Sequence, residues 1–132
     1  MYSQLKRVIL EVGKGLMIEF VKNSTDSFLL KIDIQGIEKM LIYINTISEK
    51  SEEYIQILYS GKEKSFSIKL DPDVDEMFIS ADIIEMYMDE EELEYLEERL
   101  KNSLLSKCFY PAEIFERRYK NKYVTIYCNI IF

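Results

Sequence analysis

The stretch from residue 27 to residue 47, SFLLKIDIQGIEKMLIYINTI, decides how the chain is built. Its first part alternates, with Phe28, Leu30, Ile32 and Ile34 on one side of an extended chain and Lys31 and Asp33 on the other. Past Gly36 the period changes. Ile37, Met40, Leu41, Ile44 and Ile47 stand at i, i+3, i+4, i+7 and i+10, a spacing that only a helix gathers on one face. A strand feeding an amphipathic helix makes helix-on-sheet packing the expected architecture.

On the N-terminal side, Leu16, Ile18 and Phe20 alternate, and Asn23-Ser24-Thr25-Asp26-Ser27 is turn chemistry, so the two extended runs read as a hairpin. Further back, Leu5, Val8, Ile9 and Val12 recur at helical spacing ahead of Gly13 and Gly15, which predicts a short helix with a strand as the alternative. On the C-terminal side a second hairpin is expected. Ile55, Ile57 and Tyr59 alternate, Ser60-Gly61-Lys62-Glu63 turns, and Phe66, Ile68 and Leu70 alternate again. From Met77 to Met88 the apolar positions are 77, 79, 81 and 83, then 84, 86 and 88, a slip that a β-bulge would absorb.

Asp89 and Glu92 have the spacing of a capping box, and Leu93, Leu96, Leu100 and Leu104 supply the buried stripe of the helix that follows. Acids crowd its first turn, and Arg99, Lys101 and Lys107 come late, as the helix dipole favours. After Pro111, residues 112–119 read as a strand, with one and a half helical turns as the alternative. The last run places Val124, Ile126, Cys128, Ile130 and Phe132 on one face and Thr125, Tyr127, Asn129 and Ile131 on the other. Such a strand is interior to a sheet or pairs with another chain. The expectation is a single α+β domain over residues 1–132 without internal repeats, a mainly antiparallel sheet of about six strands with two or three helices packed on it.

Composition narrows the function classes. With 132 residues, 48% of them apolar and 31% charged, the chain fits one globular unit rather than a disordered or collagen-like one. Histidine is absent, which removes the commonest general base, the commonest metal ligand and every Ser-His or Cys-His pair. Cys108 and Cys128 are too few and too far apart for a zinc site or a redox pair. Lys6 and Arg7 precede only the short run Val8 to Leu10 before Glu11, so neither a signal peptide nor a spanning helix is expected, and the predicted compartment is the cytoplasm.

Charge is the informative feature. The chain carries −7 overall, yet residues 71–98 hold thirteen acids and no base, while residues 99–132 are net basic. An acidic first helical turn and a solvated helix face account for part of this. A docking surface for a basic protein is the functional reading, because such a field attracts cations, repels nucleic acid and speeds encounter. Asp71, Asp73, Asp75 and Asp82 stand at positions 1, 3, 5 and 12 of a calcium loop. Glu76 in place of the turn-making glycine, Asp82 in place of the bidentate glutamate and Pro72 argue against that use.

Gly13-Lys14-Gly15 lacks phosphate-loop spacing. Arg117, Arg118, Lys120 and Lys122 are too few for a broad nucleic-acid face and are expected in a turn between strands. No cofactor, metal or catalytic residue is expected, although a carboxylate-only enzyme stands as a further alternative.

Two stretches, IDIQGIEKML at residues 32–41 and MYMDEEELEYL at 86–96, in a small acidic chain, look in style like the small immunity proteins of bacterial toxin systems. That resemblance implies stoichiometric inhibition, with acidic side chains facing a toxin's basic cleft. The candidate partner-binding residues are Asp71, Asp73, Asp75, Glu76, Asp89, Glu90, Glu91, Glu94 and Glu98, with Tyr87 and Tyr95 as apolar anchors. The expected partner is a basic protein, a nuclease toxin or another nucleic-acid enzyme, with neither direct nucleic-acid nor membrane contact. Two alternatives remain beside it: a phage-encoded inhibitor of a host nucleic-acid enzyme, and a structural protein that self-associates, as a homodimer for example, through its C-terminal strand.

Overall fold

Two aspartates, Asp33 and Asp89, divide the chain into its working parts, because each ends a strand and caps the helix that follows. The computed structural model describes residues 17–47, 54–109 and 112–131. Strands β1 (Ile18–Ser24) and β2 (Ser27–Asp33) form the first hairpin, followed by helix α1 (Ile34–Ile47). Then come β3 (Ile55–Tyr59), β4 (Lys62–Leu70), β5 (Met77–Ile79) and β6 (Ile83–Met88). Helix α2 (Glu90–Ser106) and strands β7 (Glu113–Tyr119) and β8 (Lys122–Ile131) complete the order. The helix expected over residues 5–12 lies outside the described residues, as does Phe132.

Ile34 belongs to the helix rather than to the strand. The Asp33 carboxylate accepts from Gly36 N–H at 2.7 Å, satisfying a first-turn donor and ending the extended run one residue early. Gly36 is required by packing, since a Cβ there would lie 2.3 Å from the Met17 carbonyl oxygen. The β3–β4 turn at Ser60-Gly61 and the β7–β8 turn at Lys120-Asn121 both have positive φ at their two central residues, the geometry of the tightest hairpins.

The sheet corrects the expected architecture. It has eight strands in the order β5-β6-β4-β3-β1-β2-β8-β7 and is nearly closed into a barrel, with two helices among the described residues. It is also mixed: β1·β3, β2·β8 and β4·β6 run parallel, and the four hairpin pairs run antiparallel. The count rose partly because the phase slip read at Ile83-Ile84 comes from a hairpin turn over residues 80–82 and not from a bulge; β5 pairs with β6 from Met77↔Met86 to Ile79↔Ile84. Lys64 holds that turn. Its buried ammonium donates to the Ser80 carbonyl and, at 2.7 Å, to the Ala81 carbonyl.

The topology repeats although the sequence does not. Each half reads strand, strand, helix, strand, strand. Around the ring, β1·β2 corresponds to β5·β6, β3·β4 to β7·β8, and β2·β8 to β6·β4. The junction corresponding to β1·β3 is β5·β7, and there a single parallel bridge, Glu76↔Arg118, remains among the described residues.

One face of every strand joins both helices in a single core, including Phe20, Phe28, Ile37, Leu100 and Ile126. α1 buries Ile37, Met40, Ile44 and Ile47 as expected, and adds Tyr43. The Tyr43 hydroxyl accepts from Ile68 N–H at 2.9 Å, a buried donor that would otherwise be orphaned. Tyr43→Phe is therefore expected to cost about 1–3 kcal/mol in urea unfolding, the usual penalty for stranding a buried amide. A change indistinguishable from zero would show that the bond contributes nothing. β8 is interior, between β2 and β7, so the alternative of pairing with another chain does not describe it.

Candidate functional site

The loop after β4 begins with a local lock. Asp71 N–H donates to the Met88 carbonyl at 3.0 Å, and the Asp71 carboxylate accepts from Asp73 N–H at 2.9 Å, the turn that a short acidic side chain makes with its own backbone. This fixes Asp71, Asp73 and Asp75 beside the N-terminus of α2. There the capping box is complete: Asp89 accepts from Glu92 N–H at 2.7 Å, and Glu92 accepts from Asp89 N–H at 3.2 Å. Glu113 and Glu116 approach from β7. Together these seven carboxylates line one open cleft of about 690 Å³.

Arg117 lies within this cleft, and its side chain is only 3% exposed. It points inward because the register shift between Glu113 and Phe115 moves the buried phase of β7 from Ile114 to Arg117. Its guanidinium pairs with the second oxygen of Glu92 and stacks over the Phe115 ring at 4.4 Å, while its Nε has no hydrogen-bond partner among the described residues. Glu92 thus closes the helix cap with one oxygen and neutralises a buried cation with the other.

At the rim, Asp75 accepts from the Tyr123 hydroxyl at 2.9 Å and lies 3.4 Å from Arg118 Nε. The hydrogen bond from Tyr123, with Arg118 adding to it, holds the Asp75 carboxyl below the usual carboxylate range; the same bond and the Asp75 charge push the Tyr123 phenol up. A lowered acid adds stability above the ordinary carboxylate pKa and loses it as pH falls through the lowered value. A raised phenol adds stability below the ordinary tyrosine pKa and loses it as pH rises through the raised value. The contact therefore belongs to the middle of the pH range. In Tyr123→Phe the Asp75 titration midpoint, followed by carboxyl carbon NMR, is expected to move upward; an unmoved midpoint would contradict the assignment.

The sequence-predicted residues divide into three groups. Asp71, Asp73, Asp75 and Asp89 enter the cleft, and Glu76 pairs with Arg118 at 3.8 Å just beyond it. Glu90, Glu91, Glu94 and Glu98 are exposed on the side of α2 opposite Leu93, Leu96 and Leu100, a second acidic face outside the cleft lining. Tyr95 is on that face too, its hydroxyl accepting from Arg99 and its ring 5.2 Å from the Arg99 guanidinium. Tyr87 is half-buried on β6, edge-on to Phe78 at 5.8 Å.

Five polar cleft residues were not among the predicted binding residues: Glu92, which was read only as part of the helix cap, and Glu113, Glu116, Arg117 and Tyr123. The two β7 acids lie in a net basic segment, which hid them, and Arg117 was expected in a turn that actually consists of Lys120 and Asn121. No sequence signal marked Glu116, because the register shift between Glu113 and Phe115 breaks the alternation that would otherwise have placed it with Ile114.

Among the described residues, no group of three or more acidic or thiol side chains is placed to hold a metal ion. Cys128 is buried, and desolvation pushes its thiol up to about 12, so it is a core residue rather than a nucleophile. No described helix is long and apolar enough to cross a membrane. No known protein family, curated protein or solved structure matches the chain.

Proposed function

We propose that this is a non-catalytic, immunity-like binding protein of the bacterial cytoplasm that neutralises a basic partner, with a nuclease toxin as the partner class its charge pattern fits. The observation that carries the reading is convergence. Carboxylates from the loop after β4, the α2 cap and β7 line one cleft, and the single arginine among them is already held by Glu92. A field of one sign concentrated in a concave surface accelerates capture of a cation and excludes nucleic acid. An inhibitor of a host nucleic-acid enzyme would use the same surface and the same physics.

Self-association through the last strand is less well supported, because both edges of β8 are occupied by β2 and β7. Purification of the tagged full chain from its native host at low salt, followed by identification of what co-elutes, tests the proposal. A basic protein whose association rate falls steeply with ionic strength supports it. A neutral or acidic partner, or association indifferent to salt, counts against it.

A further inference from the structure

The seam where the ring fails to close lies directly beside the acidic cleft. In the β5·β6 ladder, the Glu76 carbonyl accepts from Tyr87 N–H at 2.9 Å and Ser80 N–H donates to the Ile83 carbonyl at 2.9 Å. Ladder bonds alternate along an antiparallel strand, so Met77 and Ile79 turn their own N–H and C=O groups the other way, toward β7. In the equivalent junction of the first half, Glu19 and Phe20 of β1 meet Leu58 and Tyr59 of β3. In the seam the strands part after Glu76↔Arg118, as the β7–β8 turn carries Lys120 and Asn121 away.

The result is a groove of about 440 Å³ lined mainly by apolar groups of Met77, Phe78, Ile79 and Tyr119, with Lys120 and Asn121 of the β7–β8 turn in its other wall. Phe78 is 46% exposed at its edge. Glu76 lines this groove, and its neighbour Asp75 lines the cleft, so the two adjoin along the chain at Asp75-Glu76.

We infer that the seam is the anchoring site for the basic partner, which adds an extended segment along the edge of β5 beyond the Glu76↔Arg118 bridge, at Ile79. The segment alternates cationic with aliphatic side chains, the cations reaching the carboxylates of the cleft and an aliphatic group filling the groove beside Phe78. The inference rests on the proposed function and deepens it. Carboxylates alone give fast encounter, whereas slow release requires a desolvated apolar anchor and a geometric lock. An open strand edge supplies the lock through main-chain hydrogen bonds. Among the described residues, this groove is where an unpaired edge, an exposed aromatic ring and the acidic field coincide. Tyr87 then acts as the support behind Phe78, and Tyr95 lies elsewhere.

The test uses the full-length isotope-labelled chain at low salt with two synthetic probes of equal length, oligoarginine and a peptide alternating arginine with valine. The alternating peptide is expected to bind about tenfold tighter, to slow hydrogen exchange at the Ile79 amide and to shift both cleft and groove resonances. Oligoarginine is expected to shift the cleft alone. Phe78→Ser, with its fold checked by the same spectra, should reduce the alternating peptide to the affinity of oligoarginine. Equal binding of the two probes at the cleft, with Ile79 unaffected, overturns the anchor and leaves the acidic-cleft reading standing. Failure of both probes to perturb the cleft removes the proposed function and this inference with it. Protection of the Ile79 amide in the free chain, whether from its own residues or from a second copy at high concentration, also overturns the inference.

Discussion

Glu92→Ala is expected to be the most damaging single substitution near the cleft, lowering stability to urea by about 3 kcal/mol, the low end of the roughly 3–5 kcal/mol seen when one partner of a buried ion pair is removed. The low end applies because the Glu92 side chain is 32% exposed, so water already screens part of the pair. Arg117 cannot escape by losing its proton, and its Nε has no partner even in the intact protein. Loss of Glu92 also opens the capping box at Asp89.

Two further variants separate these contributions. Glu92→Gln retains an acceptor for the cap and removes the charge, so it should cost less than Glu92→Ala. The double variant Glu92→Ala with Arg117→Met removes both charges and should recover much of the loss, because an apolar pair of similar volume requires no desolvated ions. If Glu92→Ala unfolds within about 0.5 kcal/mol of the parent, a value typical of a surface change, the pair has no structural role.

The second large effect concerns association. Reversing Asp73, Glu113 and Glu116 to lysine replaces three negative charges in the cleft with three positive ones. The rate of capture of oligoarginine, or of the native basic partner, should fall by about 10–100-fold at low salt and converge with the parent at high salt. Dissociation should change much less, since steering acts on encounter. None of these three side chains caps the helix or closes the loop lock, so stability should change by no more than about 0.5 kcal/mol for each. The matching reversal of Glu90, Glu94 and Glu98 serves as the comparison, because those residues lie on the outer face of α2. An equal or larger slowing by the helix-face set would move the recognition surface out of the cleft.

Local chemistry was legible where a few neighbouring residues decide the outcome. The capping box at Asp89 and Glu92, the apolar stripe of α1, the turn at Ser60-Gly61 and the strand over residues 112–119 all follow from spacing within a few positions, and the structure contains each of them. The slip at Ile83-Ile84 was equally visible, but a bulge and a tight hairpin leave the same local mark. What separates them is Lys64, which reaches across from β4 to hold the turn at Ser80 and Ala81.

The site was legible to the same extent. The acids before and within the α2 cap were visible because charge is a property of residue type, and five of them, Asp71, Asp73, Asp75, Asp89 and Glu92, do meet in the cleft. Glu113 and Glu116 were hidden by their basic surroundings in the chain. Arg117 was hidden because a shift of strand register is needed to turn it inward.

By itself the sequence determined that alternating segments and amphipathic helices, one of them with a visible capping box, would share one core, and that the negative charge would concentrate in residues 71–98, since periodicity and ionisation are carried by individual residues. Only the tertiary structure decided which strand lies beside which, and therefore that the sheet is mixed, eight-stranded and nearly closed. Alternation specifies which face of a strand is buried and leaves its neighbour unspecified. That choice of neighbours brings β7 to the acidic loop, buries Arg117 against Glu92 and leaves the edge of β5 unpaired beside the cleft.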